Sequence, residues 1–376
     1  MVSVVKDSFD LAVVGSGILG LAHALAAARR GLRVIVIDRD QKANGASIRN
    51  FGLVVVTGQE SGPSRRLAER SREIWLELSN EAGIEILHRG KLIVAQRPEA
   101  LALLETFKSG EHGSACGLLT AREVVAQQAG LDEKATIGGL YSPFELRVES
   151  REALPRLASF LAEKHGVVFR TGVSVTEIAP PFVETSAGRV HAQKVVVCPG
   201  DDFSSLYPEL IGKHDVQRCK LQMLRLAAPG FRLQSALMSD LSLLRYGGFA
   251  GLPEAVVLRS KLGEQRGAAL ANGVHLIVVQ SADGSLVVGD SHHYGLTLDP
   301  FGSEAVDQLI LDEFKTLFGT VPNVLARWTG YYASAKNAVL RDTPHEDVRL
   351  VIVTSGTGAS TGFGLGEETI TELFGQ

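Results

Sequence analysis

Three glycines and an acid near the start of the sequence have the spacing of a dinucleotide-binding site. Gly15, Gly17 and Gly20 form the pattern G-x-G-x-x-G after the apolar run 9–14, and Asp38 ends the next apolar run. In this pattern the glycines permit a tight turn, close approach of the backbone to a diphosphate, and close packing of a helix on a strand. The acid accepts hydrogen bonds from a ribose. The stretch predicts a nucleotide diphosphate bound at a helix N-terminus, with a purely structural glycine turn as the alternative.

The elements that must position these residues are a strand, a glycine turn, a helix and a second strand. The segment 17–30 is rich in alanine and leucine, which favour helix, and it stops at Gly31. A second glycine-rich stretch at 355–366 is predicted to be a turn between a strand at 350–354 and a final helix at 367–374. Both glycine-rich turns are explained if they contact one extended ligand. An NAD-dependent dehydrogenase accounts for the first turn and leaves the second without a ligand.

The middle of the chain is predicted to contain both helices and strands. Apolar residues recur at helical spacing at 61–82, 99–112, 121–129, 151–165 and 303–318. Two short strands are expected at 84–95, separate strands at 189–191 and 194–198, and an irregular crossing at 138–150. From 216 to 280, strands and glycine loops predict a mostly antiparallel sheet. The expected fold class is α/β, a Rossmann-type domain plus a substrate domain with a large mixed or antiparallel sheet.

The composition argues against several classes of protein. A chain of 376 residues with 45% hydrophobic content can bury a large core, and its length suggests two domains. A net charge of -4 gives no sign of nucleic-acid binding, and no apolar run in the sequence is long enough for a membrane span. Three cysteines without metal-site spacing suit a reducing cytoplasm. Asp7 and Asp10 precede the glycine motif, which argues against a secretory signal peptide.

Motifs along the whole chain resemble one superfamily of flavoproteins. They are GSGILG with Asp38, GASIRNFG, SVTEI, VVVCPG, WTGYY and SGTGASTGFGLG. In this order they resemble the FAD-dependent amine and amino-acid oxidoreductases that include D-amino-acid oxidase, glycine oxidase and monomeric sarcosine oxidase. The resemblance implies a D-amino-acid oxidase-like fold. It also implies an FAD-binding domain at 1–89, 145–215 and 328–376, and a substrate domain at 90–144 and 216–327.

The resemblance further implies which residues hold FAD. The first glycine motif would hold the diphosphate, Asp38 the adenosine ribose, and the backbone of Val175 the adenine. The loop ASIRNFG and the last glycine stretch would embrace the isoalloxazine. The cofactor-binding residues expected are Gly15, Ser16, Gly17, Ile18, Gly20, Asp38, Arg39, Ser47, Arg49, Asn50, Gly52, Val175, Cys198, Gly200, Gly330, Gly356, Thr357, Gly358, Ala359 and Ser360.

A narrower resemblance concerns the substrate. The strings ASIRNFG, YSPFELRVESREA, CPGDD, CKLQM and GDSHHYGLTLDPF are similar to a clade associated with phosphonate breakdown. That clade is proposed to oxidise aminoalkylphosphonates such as 2-aminoethylphosphonate or its N-methyl derivative. A phosphonate needs charge-assisted donors, and each candidate donor also has a structural alternative, such as ordering a cofactor loop. The substrate-binding residues expected are Arg49, Gln222, Arg245, Tyr246, His292 and Tyr332.

Three departures from better-known relatives bear on this interpretation. Tyr332 stands where amino-acid oxidases of the superfamily have an arginine that clamps the substrate carboxylate, which disfavours a plain α-amino acid. Val287 stands where monomeric sarcosine oxidase has a lysine that promotes reaction with oxygen. The electron acceptor is therefore either oxygen or another molecule. No cysteine lies at 331–337, where sarcosine oxidase tethers its flavin, so noncovalent FAD is expected.

The expected reaction is oxidative deamination of a small-molecule amine. Hydride passes from the carbon next to nitrogen to flavin N5, and the imine hydrolyses to an aldehyde with ammonia or methylamine. No catalytic base is named, and no metal is expected because adjacent His292 and His293 on a strand would point to opposite faces. An oxidase of glycine, sarcosine or a D-amino acid is the nearest alternative. A non-catalytic flavoprotein subunit is the alternative from another class.

Overall fold

The computed structural model describes residues 8–375. Asp7, used in the argument on the signal peptide, and positions 1–7 and 376 of the expected FAD-binding domain lie outside the described residues. The strands are β1 (Ser8–Val14), β2 (Val34–Asp38), β3 (Leu53–Val54), β4 (His88–Ala95), β5 (Gly117–Thr120), β6 (Gly138–Arg147), β7 (Val168–Thr171), β8 (Val175–Ala179), β9 (Phe182–Thr185), β10 (Gly188–Val197), β11 (Gln217–Leu226), β12 (Ala236–Ser239), β13 (Ile277–Gln280), β14 (Leu286–Gly289), β15 (His293–Gly295), β16 (Val324–His345) and β17 (Val348–Ser355). The helices are α1 (Ile18–Arg29), α2 (Pro63–Glu81), α3 (Pro98–Ser109), α4 (Ala121–Gln127), α5 (Ser150–His165), α6 (Pro208–Gly212), α7 (Gly247–Ala250), α8 (Glu254–Ala271), α9 (Glu304–Phe318) and α10 (Gly358–Phe374).

Parallel strands form the sheet that carries the first glycine motif. Their order is β7-β2-β1-β10-β17, so β1 lies in the middle and its carboxyl end opens onto the glycine turn. The strands expected separately at 189–191 and 194–198 form one strand, β10, which pairs with β9 in its first part and with β1 and β17 in its second. This parallel arrangement is the Rossmann-type sheet that the motif predicts.

Helix α1 is buried along almost its whole length, which explains its richness in alanine and leucine. Helix α10 packs beside it, and this helix begins at Gly358, not at position 367 as the sequence predicted. Two of the glycines expected to form a turn are needed for packing instead. A Cβ on Gly364 would lie 2.9 Å from the Leu67 carbonyl oxygen, and one on Gly366 would lie 2.9 Å from the backbone of Ala22. These glycines let α10 approach α2 and α1 closely.

Strand β16 pairs with β17 in the antiparallel direction, so the parallel strands continue into one 17-stranded sheet. Its other part runs in the order β5-β6-β4-β12-β13-β14-β11-β16 and is antiparallel except between β4 and β12. The segment expected as an irregular crossing at 138–150 is mostly strand β6, which pairs with β3, β4 and β5. The two strands expected at 84–95 are the single strand β4. Its register shifts at Gly90, where φ is +81° and an added Cβ would lie 2.5 Å from the Tyr141 hydroxyl. That irregularity explains why the strand pattern in the sequence is interrupted here and predicts two strands.

The region 216–280 contains helix α8 as well as the expected antiparallel strands. Its buried residues, among them Ala255, Leu258 and Leu262, recur at helical spacing. Exposed Val256 and Val257 obscure that spacing in the sequence. The expected antiparallel strands are present, but the sequence prediction missed this helix. The α/β class with a large mixed sheet is confirmed, while the division into two domains stays a prediction. No helix within residues 8–375 has the length and apolar character needed to cross a bilayer.

His23 on α1 makes the stability of the protein depend on pH. The side chain is fully buried, its Nδ1 lies 2.7 Å from the Leu19 carbonyl oxygen, and burial lowers its pKa from 6.5 to about 4. Below pH 6.5 the unfolded chain gains a proton that the folded protein does not take up until about pH 4, so stability falls across this window. At pH 4.5 the loss from this residue is about 2.5 kcal/mol.

We expect His23→Leu to reduce the pH dependence of unfolding by about that amount. The measurement is the free energy of unfolding in urea at pH 7.5 and pH 4.5 for both proteins. The same loss of stability in the variant and the wild type would show that His23 does not carry this dependence.

Candidate active site

The first glycine turn has the steric features that its sequence pattern predicts. Gly15 has a φ of +101°, and a Cβ there would lie 2.4 Å from the Cys198 carbonyl oxygen. A Cβ on Gly20 would overlap the Gly15 carbonyl oxygen, and one on Gly17 would lie 3.0 Å from Ser47 Oγ. A side chain at Gly15 or Gly20 would displace backbone atoms, so the turn requires glycine at both positions.

Asp38 closes over this turn from the end of β2. Its Oδ2 accepts hydrogen bonds from the Ser16 backbone N–H at 2.5 Å and the Ser16 hydroxyl at 2.7 Å. Its Oδ1 accepts from the Asp40 backbone N–H at 2.8 Å. At the start of α1 the Ile18 N–H donates to Ser47 Oγ at 2.9 Å. The Asp38 carboxylate lines the same cavity as Gly17 and Ser47 at the start of α1.

Two cavities meet at this turn. The smaller, of about 200 Å³, is lined by Asp38, Arg39 and Val175, and the larger has a volume of about 430 Å³. The residues that line both are Gly17, Ala46, Ser47, Cys198 and Gly200. One elongated ligand can therefore run from the end of β2, across the turn, into the larger cavity. An extended dinucleotide fits this shape, with its diphosphate at the start of α1.

Backbone from the two ends of the chain forms part of the larger cavity. Gly356 has a φ of +72°, and a Cβ there would lie 3.0 Å from the Tyr332 ring, while one on Gly330 would lie 2.9 Å from the Arg49 carbonyl oxygen. The expected cofactor residues that line this cavity are Gly17, Ile18, Gly20, Ser47, Arg49, Asn50, Cys198, Gly200, Gly330, Gly356, Thr357, Gly358, Ala359 and Ser360. Gly15, Asp38, Arg39 and Val175 line the smaller one.

Three of the expected site residues line neither cavity. Ser16 is bonded to Asp38, and a Cβ on Gly52 would overlap the Val148 carbonyl oxygen. Gln222 is buried away from the cavity, where its Nε2 donates to Asp307 Oδ1 at 2.6 Å and its Oε1 accepts from the Ser303 N–H at 2.8 Å. Gln222 therefore anchors the start of α9, and we leave it out of the site proposed below.

Arg245 and Tyr332 meet in the larger cavity. The Arg245 Nη2 donates to the Tyr332 hydroxyl at 2.6 Å, although the two residues lie on different elements. Arg245 lines the cavity and is exposed, whereas Tyr332 is buried on β16 and burial raises its pKa well above the ordinary value. Tyr332 is therefore a neutral hydroxyl, and the remaining N–H groups of Arg245 can bind an anion. Arg245 therefore places a positive charge next to position 332, where this sequence has tyrosine in place of an arginine.

Asp290, His275 and His292 lie on the same wall of this cavity. His275 and Asp290 are opposite each other on neighbouring antiparallel segments, since each backbone N–H donates to the other's carbonyl, at 3.1 and 2.9 Å. The His275 Nε2 lies 3.0 Å from Asp290 Oδ1. His292 lines the same cavity, its Nδ1 lies 4.0 Å from Asp290 Oδ1, and its ring stacks on His275 at 5.1 Å between centroids.

The charges of these groups follow from their surroundings. Burial opposes ionisation of Asp290, yet the neighbouring His275 and the Arg245 guanidinium hold its pKa below the ordinary value. Burial lowers the pKa of His292 to about 3, so this imidazole is neutral at physiological pH. The cavity therefore presents a carboxylate as well as a guanidinium.

The three residues also offer ligand atoms within 4.8 Å of one another, as a metal site would. The His292 Nδ1, however, lies 2.9 Å from the Gly273 carbonyl oxygen, which identifies it as the protonated nitrogen. That nitrogen cannot bind a metal while it donates this hydrogen bond. The expectation of no metal stays a prediction.

The sequence prediction included His292 but neither His275 nor Asp290. The pair Asp290 and His292 could have been found, because acids and histidines two residues apart on a strand face the same side. His275 gave no local signal. Only the pairing of its segment with the one that carries Asp290 places it in the site.

The fold and these cavities define a class of protein, the Rossmann-type flavoproteins in which an extended dinucleotide leads into a substrate cavity. The sequence matches the family model described as "DAO: FAD dependent oxidoreductase" over residues 10–372. The chain belongs to this family, and FAD is its cofactor. The glycine turn, Asp38 and the joined cavities fit that cofactor.

Individual relatives agree with this membership. The chain is 28% identical over 210 residues to monomeric sarcosine oxidase of Bacillus sp. (strain B-0618). The alignment covers 54% of this chain and 54% of that relative, so it spans about half of the relative's length. The chain is 27% identical over 207 residues to glycine oxidase of Geobacillus kaustophilus, covering 51% of this chain and 54% of the relative. The crystal structure of glycine oxidase from Bacillus cereus superposes with a TM-score of 0.78 over 98% of this chain and 95% of that one, at 17% identity. That last likeness concerns the fold, and it agrees with the predicted D-amino-acid oxidase-like architecture.

Proposed function

We propose that this protein oxidises a small amine that also carries an anionic group, with an aminoalkylphosphonate as the preferred substrate. For 2-aminoethylphosphonate the products are phosphonoacetaldehyde and ammonia, and for the N-methyl derivative the second product is methylamine. The observation that carries the proposal is the guanidinium of Arg245, which lines the larger cavity beside the Tyr332 hydroxyl. Planar guanidinium groups bind phosphonate and carboxylate oxygens through paired, charge-assisted hydrogen bonds.

Each part of the reaction is assigned to chemistry that the site can supply. FAD, when bound, would accept a hydride, and with it two electrons, from the carbon next to the substrate nitrogen. Arg245 and Tyr332 hold the anionic end, and Tyr246 and Arg49 are further lining residues within reach of substrate or cofactor. Water then hydrolyses the oxidised substrate to an aldehyde. The protein's part is to orient the C–H bond and limit access of water.

Two features favour phosphonate within this reaction. Lys336 and Arg49 line the same cavity as Arg245, so additional positive charge is available for a group that carries up to two negative charges. The sequence strings similar to those of the phosphonate-associated clade, such as GDSHHYGLTLDPF, include Asp290 and His292 of the cavity wall. These two features support an aminoalkylphosphonate as the substrate.

Glycine, sarcosine or a D-amino acid is the second candidate substrate. The absence of an arginine at position 332 was the reason to disfavour an amino acid, but Arg245 supplies a guanidinium 2.6 Å from the Tyr332 hydroxyl. A carboxylate could bind there through the same hydrogen bonds. The names of two relatives, sarcosine oxidase and glycine oxidase, also favour this candidate.

The test is anaerobic mixing of the purified flavoprotein with 2-aminoethylphosphonate, its N-methyl derivative, glycine, sarcosine and D-alanine. We expect the phosphonates to bleach the flavin absorbance. Bleaching by the amino acids alone would replace the phosphonate proposal with the amino-acid one. No bleaching by any of these amines would contradict both and favour a non-catalytic subunit.

The electron acceptor and the location remain part of the proposal. Reoxidation of the bleached flavin by air, followed by absorbance, distinguishes oxygen from another acceptor. The three cysteines Cys116, Cys198 and Cys219 are free and buried, which supports the reducing cytoplasm as the proposed location.

A further inference from the structure

We propose that Asp290, positioned by His275, binds the substrate's ammonium group, so that the cavity recognises both charges of a zwitterionic amine. This inference rests on the proposed function and deepens it. The sequence singled out groups for the anionic end of the substrate and none for its nitrogen. Asp290 supplies the missing group.

The first support is the incomplete hydrogen bonding of the carboxylate. Asp290 is only 4% exposed, and its Oδ1 has no hydrogen bond of good geometry within residues 8–375, although His275 Nε2 lies 3.0 Å away. The two atoms therefore lie within hydrogen-bonding distance without the alignment of a hydrogen bond. A buried carboxylate that lacks partners is costly. Such a group at the wall of a ligand cavity is explained if a ligand completes its shell.

The second support is the rigidity of its position. Backbone hydrogen bonds in both directions pair Asp290 with His275, and the Ser242 hydroxyl lies 3.2 Å from His275 Nδ1. The His292 ring stacks on that of His275, and its Nδ1 is held by the Gly273 carbonyl oxygen. Groups that are fixed before the ligand arrives lose little entropy on binding. Asp290 is therefore preorganised for a cation.

The third support is the arrangement of charge along the cavity wall. Arg245 bonds to Tyr332, the Tyr332 ring lies 6.4 Å from that of His292, and His292 stacks on His275, which contacts Asp290. A guanidinium and a carboxylate are thus connected by one continuous row of side chains, with neutral His292 between them. A small molecule with an ammonium group at one end and an anion at the other is complementary to this row.

The experiment compares an amine with a matched ligand that lacks the amine. In the holoenzyme, the dissociation constant of 2-aminoethylphosphonate is taken from the concentration dependence of anaerobic flavin reduction. That of propylphosphonate, in which a methyl group replaces the ammonium, is taken from the change in flavin absorbance on binding. For Asp290→Asn, which keeps an oxygen for His275, we expect about 100-fold weaker binding of the amine and a change of less than about threefold for propylphosphonate. Glycine and propionate form the corresponding pair if only amino acids reduce the wild type.

Asp307→Asn is the control, because Asp307 is also a buried aspartate but bonds to Gln222 and Arg327 outside the cavity. It should leave both dissociation constants unchanged. Equal weakening of both ligands by Asp290→Asn, or unchanged binding of the amine, would overturn the inference while leaving the proposed function intact. Stoichiometric divalent metal in the wild type that is lost in Asp290→Asn, measured by mass spectrometry, would also overturn it. Failure of every amine to reduce the wild-type flavin would refute the proposed function and this inference together.

Discussion

Replacement of Arg245 by glutamine is expected to weaken substrate binding by about 100-fold or more without loss of FAD. The change removes the positive charge that lines the cavity and the donor to the Tyr332 hydroxyl at 2.6 Å. Loss of charge-assisted hydrogen bonds of this kind costs about 2–3 kcal/mol, which corresponds to a factor of about 30 to 150 in affinity, and more when the partner charge is left unpaired. The measurement is the concentration dependence of anaerobic flavin reduction by the amine that reduces the wild type.

Arg327→Gln is a matched control for this variant. Arg327 lies on the same strand as Tyr332 but pairs with Asp307 and Glu304 away from the cavity. It should bind substrate as the wild type does. If Arg245→Gln had the wild-type dissociation constant, the anionic end of the substrate would have to bind elsewhere, with Lys336 and Arg49 as the remaining cations of the cavity.

The second large effect is expected at the first glycine turn. Gly15→Ala should yield protein with little or no bound FAD, because the Cβ would lie 2.4 Å from the Cys198 carbonyl oxygen and would push the turn away from β10. The helix N-terminus that receives the diphosphate would move with it. The measurement is the ratio of flavin absorbance to protein in the purified variant, together with the midpoint of thermal unfolding.

Gly31→Ala is the control, because it introduces backbone strain without a steric clash. Gly31 ends the same helix, has a φ of +77°, and would place its Cβ in open space. The substitution should cost about 1–2 kcal/mol of stability and keep the full content of FAD. Equal loss of flavin in the two variants would mean that strain alone, and not the contact with Cys198, controls the turn.

The sequence determined the cofactor class and the architecture around it. Gly20 and Asp38 act through contacts with Gly15 and Ser16 inside a single strand, turn, helix and strand unit, and such contacts can be predicted from local spacing. The α/β class followed for the same reason, since strand and helix periods are local properties of the chain. The motifs along the whole chain also resemble those of one flavoprotein family, and the family match confirms that prediction.

Only the tertiary structure decided how other segments are used. Strand β6 looked irregular in the sequence because its order comes from pairing with β3, β4 and β5. The glycines of α10 looked like a turn, whereas Gly364 and Gly366 serve to bring that helix against α2 and α1. In both cases the deciding contacts join segments far apart in the chain. Local propensity cannot report such contacts.

The same limit applies to the substrate end of the cavity. Tyr332 and Arg245 lie 87 positions apart, and each could be named as a candidate, but their hydrogen bond depends on how β16 packs against the segment that follows β12. His275 joins Asp290 only through the register of two antiparallel segments. The sequence by itself thus determined the nucleotide turn, because Ser16, Gly20 and Asp38 act through near neighbours in the chain, and its motifs identified FAD by resemblance. The charges that face the substrate were decided by the tertiary structure, because they come from residues that only folding brings together.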